Sequence, residues 1–177
     1  VLLPPKCYAQ AIIFHGNILY VGGNRGIEIL GCINCADKPL SFQHIPLPGD
    51  IPLAGKAIDD LLVDGDRLIA VDNMVWPKYL LAYDISNPVV PVFQHKFPLT
   101  NNGTCEKIIK AVMSDHHIAI LSESIGQCGS GKHIVILDRR GYAEVNVMRS
   151  FARAGLPANQ RQDADPMFLD IAFRGNE

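Results

Sequence analysis

The stretch GQCGSGKH, from Gly126 to His133, comes closer than any other to a motif with known chemistry. Gly126, Gly131 and Lys132 match the spacing of a phosphate-binding loop, but His133 stands where that loop needs a hydroxyl side chain for magnesium. The following HIVILD predicts a strand, whereas phosphate binding needs a helix whose N–H groups point at the ligand. We therefore interpret the stretch as a hairpin loop and predict no cofactor.

Residue types that bind metals or act as acids and bases occur without the spacing that those roles need. His116 and His117 are adjacent, and successive strand residues point to opposite faces. The DGD stretch at Asp64–Asp66 lacks the further carboxylates that calcium requires. No serine nucleophile elbow and no recognisable acid–base pair of carboxylates is present. We predict no metal site and no catalytic residue, and favour a protein that is not an enzyme.

The cysteines indicate no redox or zinc centre. There are five, at Cys7, Cys32, Cys35, Cys105 and Cys128. Cys32 and Cys35 form a C-x-x-C, but a turn and Pro39 follow it instead of the helix that thioredoxin chemistry needs. Zinc would need two further ligands nearby. A local disulfide and two thiols both stay open.

Composition indicates one globular domain. The 177 residues are 48% hydrophobic and 19% charged, with a net charge of −2 and both signs scattered. No basic stripe is present, which argues against nucleic acid as a partner. The longest apolar runs are too short to cross a bilayer, so we predict a protein that is not transmembrane.

Three similar segments follow one another along the chain. AIIFHGNILYV from Ala11, LLVDGDRLIAV from Leu61 and AVMSDHHIAIL from Ala111 align without gaps, at offsets of 61 − 11 = 50 and 111 − 61 = 50. Each places a polar or glycine turn between two apolar stretches, which predicts a β-hairpin. Asp84 and Asp138 end the third strands of two units, and we expect them to accept hydrogen bonds from the N–H groups of the next turn.

The fourth strands complete the predicted unit. The tripeptide FQH occurs at Phe42 and again at Phe93, 93 − 42 = 51 residues apart. We therefore expect His44 and His95 to share one place, that is, equivalent positions in their units. Units of four short strands at this period are typical of β-propeller blades. We predict an all-β fold, a β-propeller of four-stranded antiparallel blades, about three in this chain. The blades span approximately 7–47, 57–99 and 106–151, and 168–177 starts a further one. An antiparallel sandwich is the competing architecture.

Three blades cannot close a ring, because propellers typically have about four to eight. We expect ring closure by the remaining blades of a longer chain, of which this is a fragment, or by self-association.

The second unit carries a family resemblance. YLLAYDISNPVVPVFQH, from Tyr79 to His95, resembles the LVIVD repeat of predicted β-propellers. The first unit departs from it, with Cys32 in place of Asp84 and NCA in place of SNP, and the third follows Asp138 with RRG. The resemblance implies a propeller fold and an extracellular, periplasmic or cell-surface setting, but no reaction.

Propeller geometry places two cysteines together. Cys105, in the connection into the third blade, and Cys128, in the loop between that blade's second and third strands, should emerge on one face. We predict a Cys105–Cys128 disulfide, which needs Cα atoms within about 7 Å.

Loops joining second and third strands are the predicted binding surface. Their candidate partner-binding residues are Asn24, Arg25, Asp72, Asn73, Trp76 and Lys78. Trp76 would anchor a partner or plug the blade interface. The leading hypothesis is a non-enzymatic scaffold that binds a protein or glycan through its loop faces. The alternative is a propeller-type hydrolase or lyase with a metal or acidic cluster at the central channel.

Overall fold

A computed structural model gives the fold of the parts of the chain that it describes, namely residues 8–24, 26–31, 42–45, 47–48, 58–72, 78–99, 106–124 and 131–149. The chain divides into two compact units, Val1–Thr100 and Asn101–Glu177. The first unit contains two four-stranded sheets and the second unit contains one.

All three sheets are antiparallel meanders in which each strand pairs with the next along the chain. Sheet 1 consists of β1 (Ala9–His15), β2 (Ile18–Gly23), β3 (Gly26–Leu30) and β4 (Phe42–Ile45). Sheet 2 consists of β5 (Ile58–Asp64), β6 (Arg67–Asp72), β7 (Tyr79–Asp84) and β8 (Val92–Pro98). Sheet 3 consists of β9 (Glu106–Met113), β10 (His117–Ser124), β11 (Gly131–Asp138) and β12 (Glu144–Arg149).

The predicted all-β class is confirmed. Valine, isoleucine and leucine fill the strands because their branched side chains pack well on a pleated surface. Within the described ranges there is no helix, and so none that is long and apolar enough to cross a membrane.

The turn chemistry expected from the sequence is also observed. The side chain of Asp84 accepts a hydrogen bond from the N–H of Ser86 at 2.8 Å, and that of Asp138 accepts one from the N–H of Arg140 at 2.7 Å. The bond from Ser86 to the ionised form lowers the pKa of the Asp84 carboxyl. Both carboxylates therefore hold the turns that follow β7 and β11.

Two turn glycines show which residues of sheets 1 and 2 occupy equivalent positions. Gly16 and Gly65 begin the two-residue turns of the first two hairpins, with φ values of 57° and 55°. Equivalent turn positions are therefore 65 − 16 = 49 residues apart, and the gapless offset of 50 is wrong by one residue for this pair of hairpins. An offset of one residue changes which face of the sheet a side chain occupies. Ile12 thus corresponds to Leu61, not to Leu62.

The two FQH segments occupy equivalent positions in their sheets only at their first residue, the phenylalanine. Phe42 pairs with Leu30 and Phe93 pairs with Tyr83, which are equivalent positions in β3 and β7. Sheet 2 then has a bulge that leaves Gln94 without an opposite residue. His44 therefore pairs with Glu28, whereas the corresponding place in sheet 2 belongs to Lys96. The prediction that both histidines share one place is wrong.

The core of the first unit lies between sheets 1 and 2. One face of sheet 1, which we call its inner face, buries Ala11, Ile18, Tyr20, Ile27 and Ile29. These side chains form one apolar cluster with a face of sheet 2 that carries Ile58, Leu61, Leu68, Ala70, Leu81 and Tyr83. The closest approach is at Gly22, where an added Cβ would lie 2.6 Å from Cγ2 of Ile58. Glycine is needed there because the two sheets leave no room for a side chain.

The two sheets use different faces for this contact. The residues of sheet 1 that correspond to Leu61 and Leu68 are Ile12 and Leu19, and they lie on the opposite side of sheet 1 from the core. We call that side the outer face of sheet 1. Sheets 1 and 2 therefore stack head to tail. The inner face of sheet 1 packs against the face of sheet 2 that is equivalent to the outer face of sheet 1.

Sheet 3 has one deeply buried face and one less buried face. Ile118, Ile120, Val135 and Leu137 share the first, and each is at most 3% exposed. Val112, Ile134 and Ile136 lie on the second face and are half-buried, whereas Ala119 and Leu121 of that same face are 7% and 0% exposed. By strand register, the second face corresponds to the inner face of sheet 1.

Candidate functional site

Asn24, from the predicted binding loops, connects two strand ends instead of projecting from the sheet. Its side-chain Oδ1 accepts a hydrogen bond from the N–H of Tyr8 at 3.0 Å, and its own N–H donates to the carbonyl of Tyr8 at 3.4 Å. The residue is half-buried. Asn24 therefore ties the start of β1 to the end of β2.

Asp72 and Lys78 are interior residues of the first unit. Asp72 ends β6 between Ile58 and Tyr79 and is 0% exposed, and Lys78 precedes β7 and is 3% exposed. The carbonyl of Lys78 accepts a hydrogen bond from Leu99 at 2.8 Å. Both side chains are therefore buried within the first unit.

The Asp72 carboxylate influences a buried tyrosine on the same face of sheet 2. Burial raises the pKa of Tyr83 above the usual range for a phenol, and the negative charge of Asp72 raises it further. The Tyr83 ring also meets Phe93 edge-on, with centroids 5.6 Å apart. Tyr83 therefore stays a neutral core residue at physiological pH.

The remaining predicted positions lie outside the described residues. These are Arg25, Asn73 and Trp76 of the binding loops and Cys105 and Cys128 of the predicted disulfide. The loop surface and the disulfide therefore stay predictions.

The outer face of sheet 1 combines exposed apolar side chains with an acid–base pair. Ile12 and Phe14 of β1 are 61% and 62% exposed, although large apolar side chains on a monomer's surface usually occur singly. Further across the same face, Val21 and Leu30 are buried. An apolar stripe thus runs along β1, at the edge of the sheet.

Glu28 and His44 form a hydrogen-bonded pair on this outer face. Oε1 of Glu28 and Nδ1 of His44 are 3.0 Å apart on directly paired residues of β3 and β4. The Glu28 side chain is 8% exposed and the His44 side chain 37%. The carboxylate orients the imidazole through this hydrogen bond. This hydrogen bond holds a polar group in place on a face that is otherwise mainly apolar.

The described residues contain no cluster of three metal-binding side chains beside this pair. Sequence reasoning missed Ile12, Phe14 and Glu28 as surface candidates. Aligning the chain on Gly16 and Gly65 would have found the first two, because it places them at the positions of Leu61 and Val63. No local signal could have paired Glu28 with His44, which is 44 − 28 = 16 residues away.

Neither a comparison with protein-family models nor one with curated proteins finds a match to this chain.

Proposed function

We propose that the chain is part of a β-propeller that serves as a binding scaffold, not as an enzyme, and that takes a protein or glycan partner on its loop face. The observation that carries the proposal is the head-to-tail stacking of sheets 1 and 2. A contact between two different faces can repeat from one sheet to the next. The repeated contact generates a ring where the rotation between successive sheets adds up to a full turn. Successive four-stranded meanders joined in this way build a propeller.

The strands that approach each other support the same architecture. β5 packs against β1 and β2, the first two strands of its neighbour. Radial packing brings first strands together near the axis of a ring and lets fourth strands diverge. The resemblance of Tyr79–His95 to the LVIVD repeat agrees with this arrangement. It also supports an extracellular, periplasmic or cell-surface setting.

The proposed contact residues are those on the loops between second and third strands. Arg25, Asn73 and Trp76 would contact the partner, because aromatic and arginine side chains contribute most to binding. Asn24, Asp72 and Lys78 would support the loops on which those residues sit. Their buried or tethered side chains suit that role.

A glycan array and a panel of purified extracellular protein domains test the proposal. We expect a ligand whose affinity falls at least tenfold, about 1.4 kcal/mol, in Trp76→Ala. Val90→Ala is the matched control, since Val90 is 49% exposed in a turn at the other end of β7, and it should leave affinity unchanged. A ligand that binds both variants equally well would contradict the proposed surface.

Metal analysis of the purified protein separates the scaffold from the hydrolase or lyase. One ion bound per chain, together with turnover of an ester or glycan, would overturn the scaffold and support the enzyme.

A further inference from the structure

β1 is an edge strand of sheet 1, because within the described part of the chain it pairs only with β2. In a hairpin with a two-residue turn, the residues that close the turn, here His15 and Ile18, form a hydrogen-bonded pair. Hydrogen-bonded and non-hydrogen-bonded pairs alternate along an antiparallel ladder, so Phe14 and Ile12 belong to pairs of the second kind. Their backbone N–H and C=O groups therefore point away from β2, towards the edge of the sheet.

The same two residues expose apolar side chains. Ile12 and Phe14 are 61% and 62% exposed, and both lie on the outer face of sheet 1. Backbone groups turned to an open edge and apolar side chains exposed to water thus coincide in one short segment. An added strand would satisfy both, because residues that lie opposite each other in a ladder also bring their side chains into contact.

The other edge strands that the structure describes carry features that hinder the addition of a strand. β4 has only four residues, β8 has a bulge and ends in Pro98, and β12 has a bulge in its pairing with β11. β5 and β9 carry charged residues, among them Asp60 and Lys110. From Ala11 to His15, β1 has no proline, no Asp, Glu, Lys or Arg, and no irregular pairing. This segment therefore lacks the protection that the other edges have.

A single extended peptide fits this edge better than a second copy of the chain does. β5 packs against β1. A copy that paired through its own β1 would therefore bring its own β5, and the rest of its sheet 2, next to the first copy's sheet 2. The two copies of sheet 2 would compete for the space beside the joined β1 strands. A single strand brings no second layer, so it meets no such obstacle.

We propose that β1 binds an extended peptide segment of a partner protein as an added strand, in the antiparallel order that sheet 1 already has. The segment has apolar residues at alternate positions, opposite Ile12 and Phe14, and polar residues between them. Its backbone exchanges hydrogen bonds with the N–H and C=O groups of these two residues. The inference goes beyond the proposed loop-face binding, because the site lies on the axis side of sheet 1 in the proposed ring.

Fluorescence polarisation with a labelled peptide of about six residues that alternates valine and threonine tests the strand addition. We expect saturable binding that weakens at least tenfold in Phe14→Lys, because a lysine removes the apolar contact and hinders pairing at an edge. Val92→Lys is the matched control, because Val92 is 55% exposed on the edge strand β8, and it should bind the peptide like the wild type. Thermal unfolding shows that both variants are folded. A wild-type chain that does not bind the peptide, or equal binding by the two variants, would overturn the proposal.

Backbone methylation of the peptide distinguishes an added strand from apolar contact alone. In the proposed pairing the valines lie opposite Ile12 and Phe14, so the valine N–H groups point towards β1 and the threonine N–H groups point to solvent. N-methylation of the valines should therefore weaken binding at least tenfold, whereas N-methylation of the threonines should leave it unchanged. Equal affinities of the two methylated peptides would show that no ladder forms and would overturn the proposal.

Sedimentation of the 177-residue chain without peptide tests whether a second copy takes the same edge. We expect no self-association that depends on Phe14. Concentration-dependent self-association that is lost in Phe14→Lys would show that a second copy occupies β1, and it would overturn the proposal.

The two proposals can fail separately. If Trp76-dependent ligand binding is found and the peptide does not bind, only the strand addition fails. If the peptide binds β1 and no ligand binds the loop face, only the scaffold function fails.

Discussion

The hydroxyl of Tyr20 in β2 donates a hydrogen bond to the carbonyl of Pro88, 2.7 Å away in the turn before β8. This bond connects sheets 1 and 2 across the core of the first unit. Tyr83, on the facing side of the same core, also buries its hydroxyl, but that oxygen has no hydrogen-bond partner within the described part of the chain. The two tyrosines are therefore a matched pair for measuring what the connection contributes.

We expect Tyr20→Phe to lower the free energy of unfolding by about 1 kcal/mol, because it removes the bond and leaves the Pro88 carbonyl without this donor. Tyr83→Phe should be neutral or slightly stabilising, because it removes a buried polar atom that makes no such bond. Urea denaturation measures both. Equal losses in the two variants would show that the Tyr20–Pro88 bond does not contribute.

We expect stability to fall at alkaline pH through these same tyrosines. Burial raises the pKa of Tyr20 to about 12. Burial, and then the charge of Asp72, also raises the pKa of Tyr83. An unfolded tyrosine ionises near about pH 10, so above that pH the unfolded chain releases protons that the folded chain keeps. The contribution of Tyr20 is complete below about pH 10 and is lost as the pH rises to about 12.

Urea denaturation between neutral pH and about pH 12, the pKa of Tyr20 in the folded chain, measures this loss. The fall in unfolding free energy with pH should be shallower in Tyr20→Phe and in Tyr83→Phe than in the wild type. If both variants lose stability as steeply as the wild type, the alkaline transition has another cause.

We expect Gly22→Ala to destabilise the contact between sheets 1 and 2. The new Cβ would lie 2.6 Å from Cγ2 of Ile58 and 3.2 Å from its carbonyl oxygen, so the sheets must shift, at a cost of about 1–3 kcal/mol. The penalty should be much smaller in an Ile58→Ala background, which removes Cγ2. Additive losses in this double-mutant cycle would contradict a direct contact.

We expect Gly65→Ala to destabilise the second hairpin by about 1–3 kcal/mol, because a positive φ at this turn strains an L side chain. Space is not the reason, since nothing lies within 4 Å of the new Cβ. Gly141→Ala is the control, since that site is equally open and lacks a positive φ. Chemical denaturation should therefore separate the two variants, and similar stabilities would contradict the turn geometry.

Local patterns in the sequence were sufficient for the strands and their turns. Alternating apolar residues and turn residues such as Gly16 and Asp84 act within a few positions of themselves, and the hairpins and the Asp84 and Asp138 turns were predicted correctly. A strand pairs with the next one along the chain because short turns leave little choice, so the four-stranded meanders also follow from local order.

Contacts between distant segments decided the rest. The register of 49 between the first two hairpins, and the bulge that separates His95 from the place of His44, depend on how strands pair. The burial of Asp72 and Lys78, both predicted to contact a partner, depends on the elements that surround them. Strand and turn preferences act over a few neighbouring residues, so local sequence alone specified which residues form strands and turns. Which face each side chain occupies, and what covers it, depended on strand pairing and packing, because a shift of one residue exchanges the two faces of a sheet.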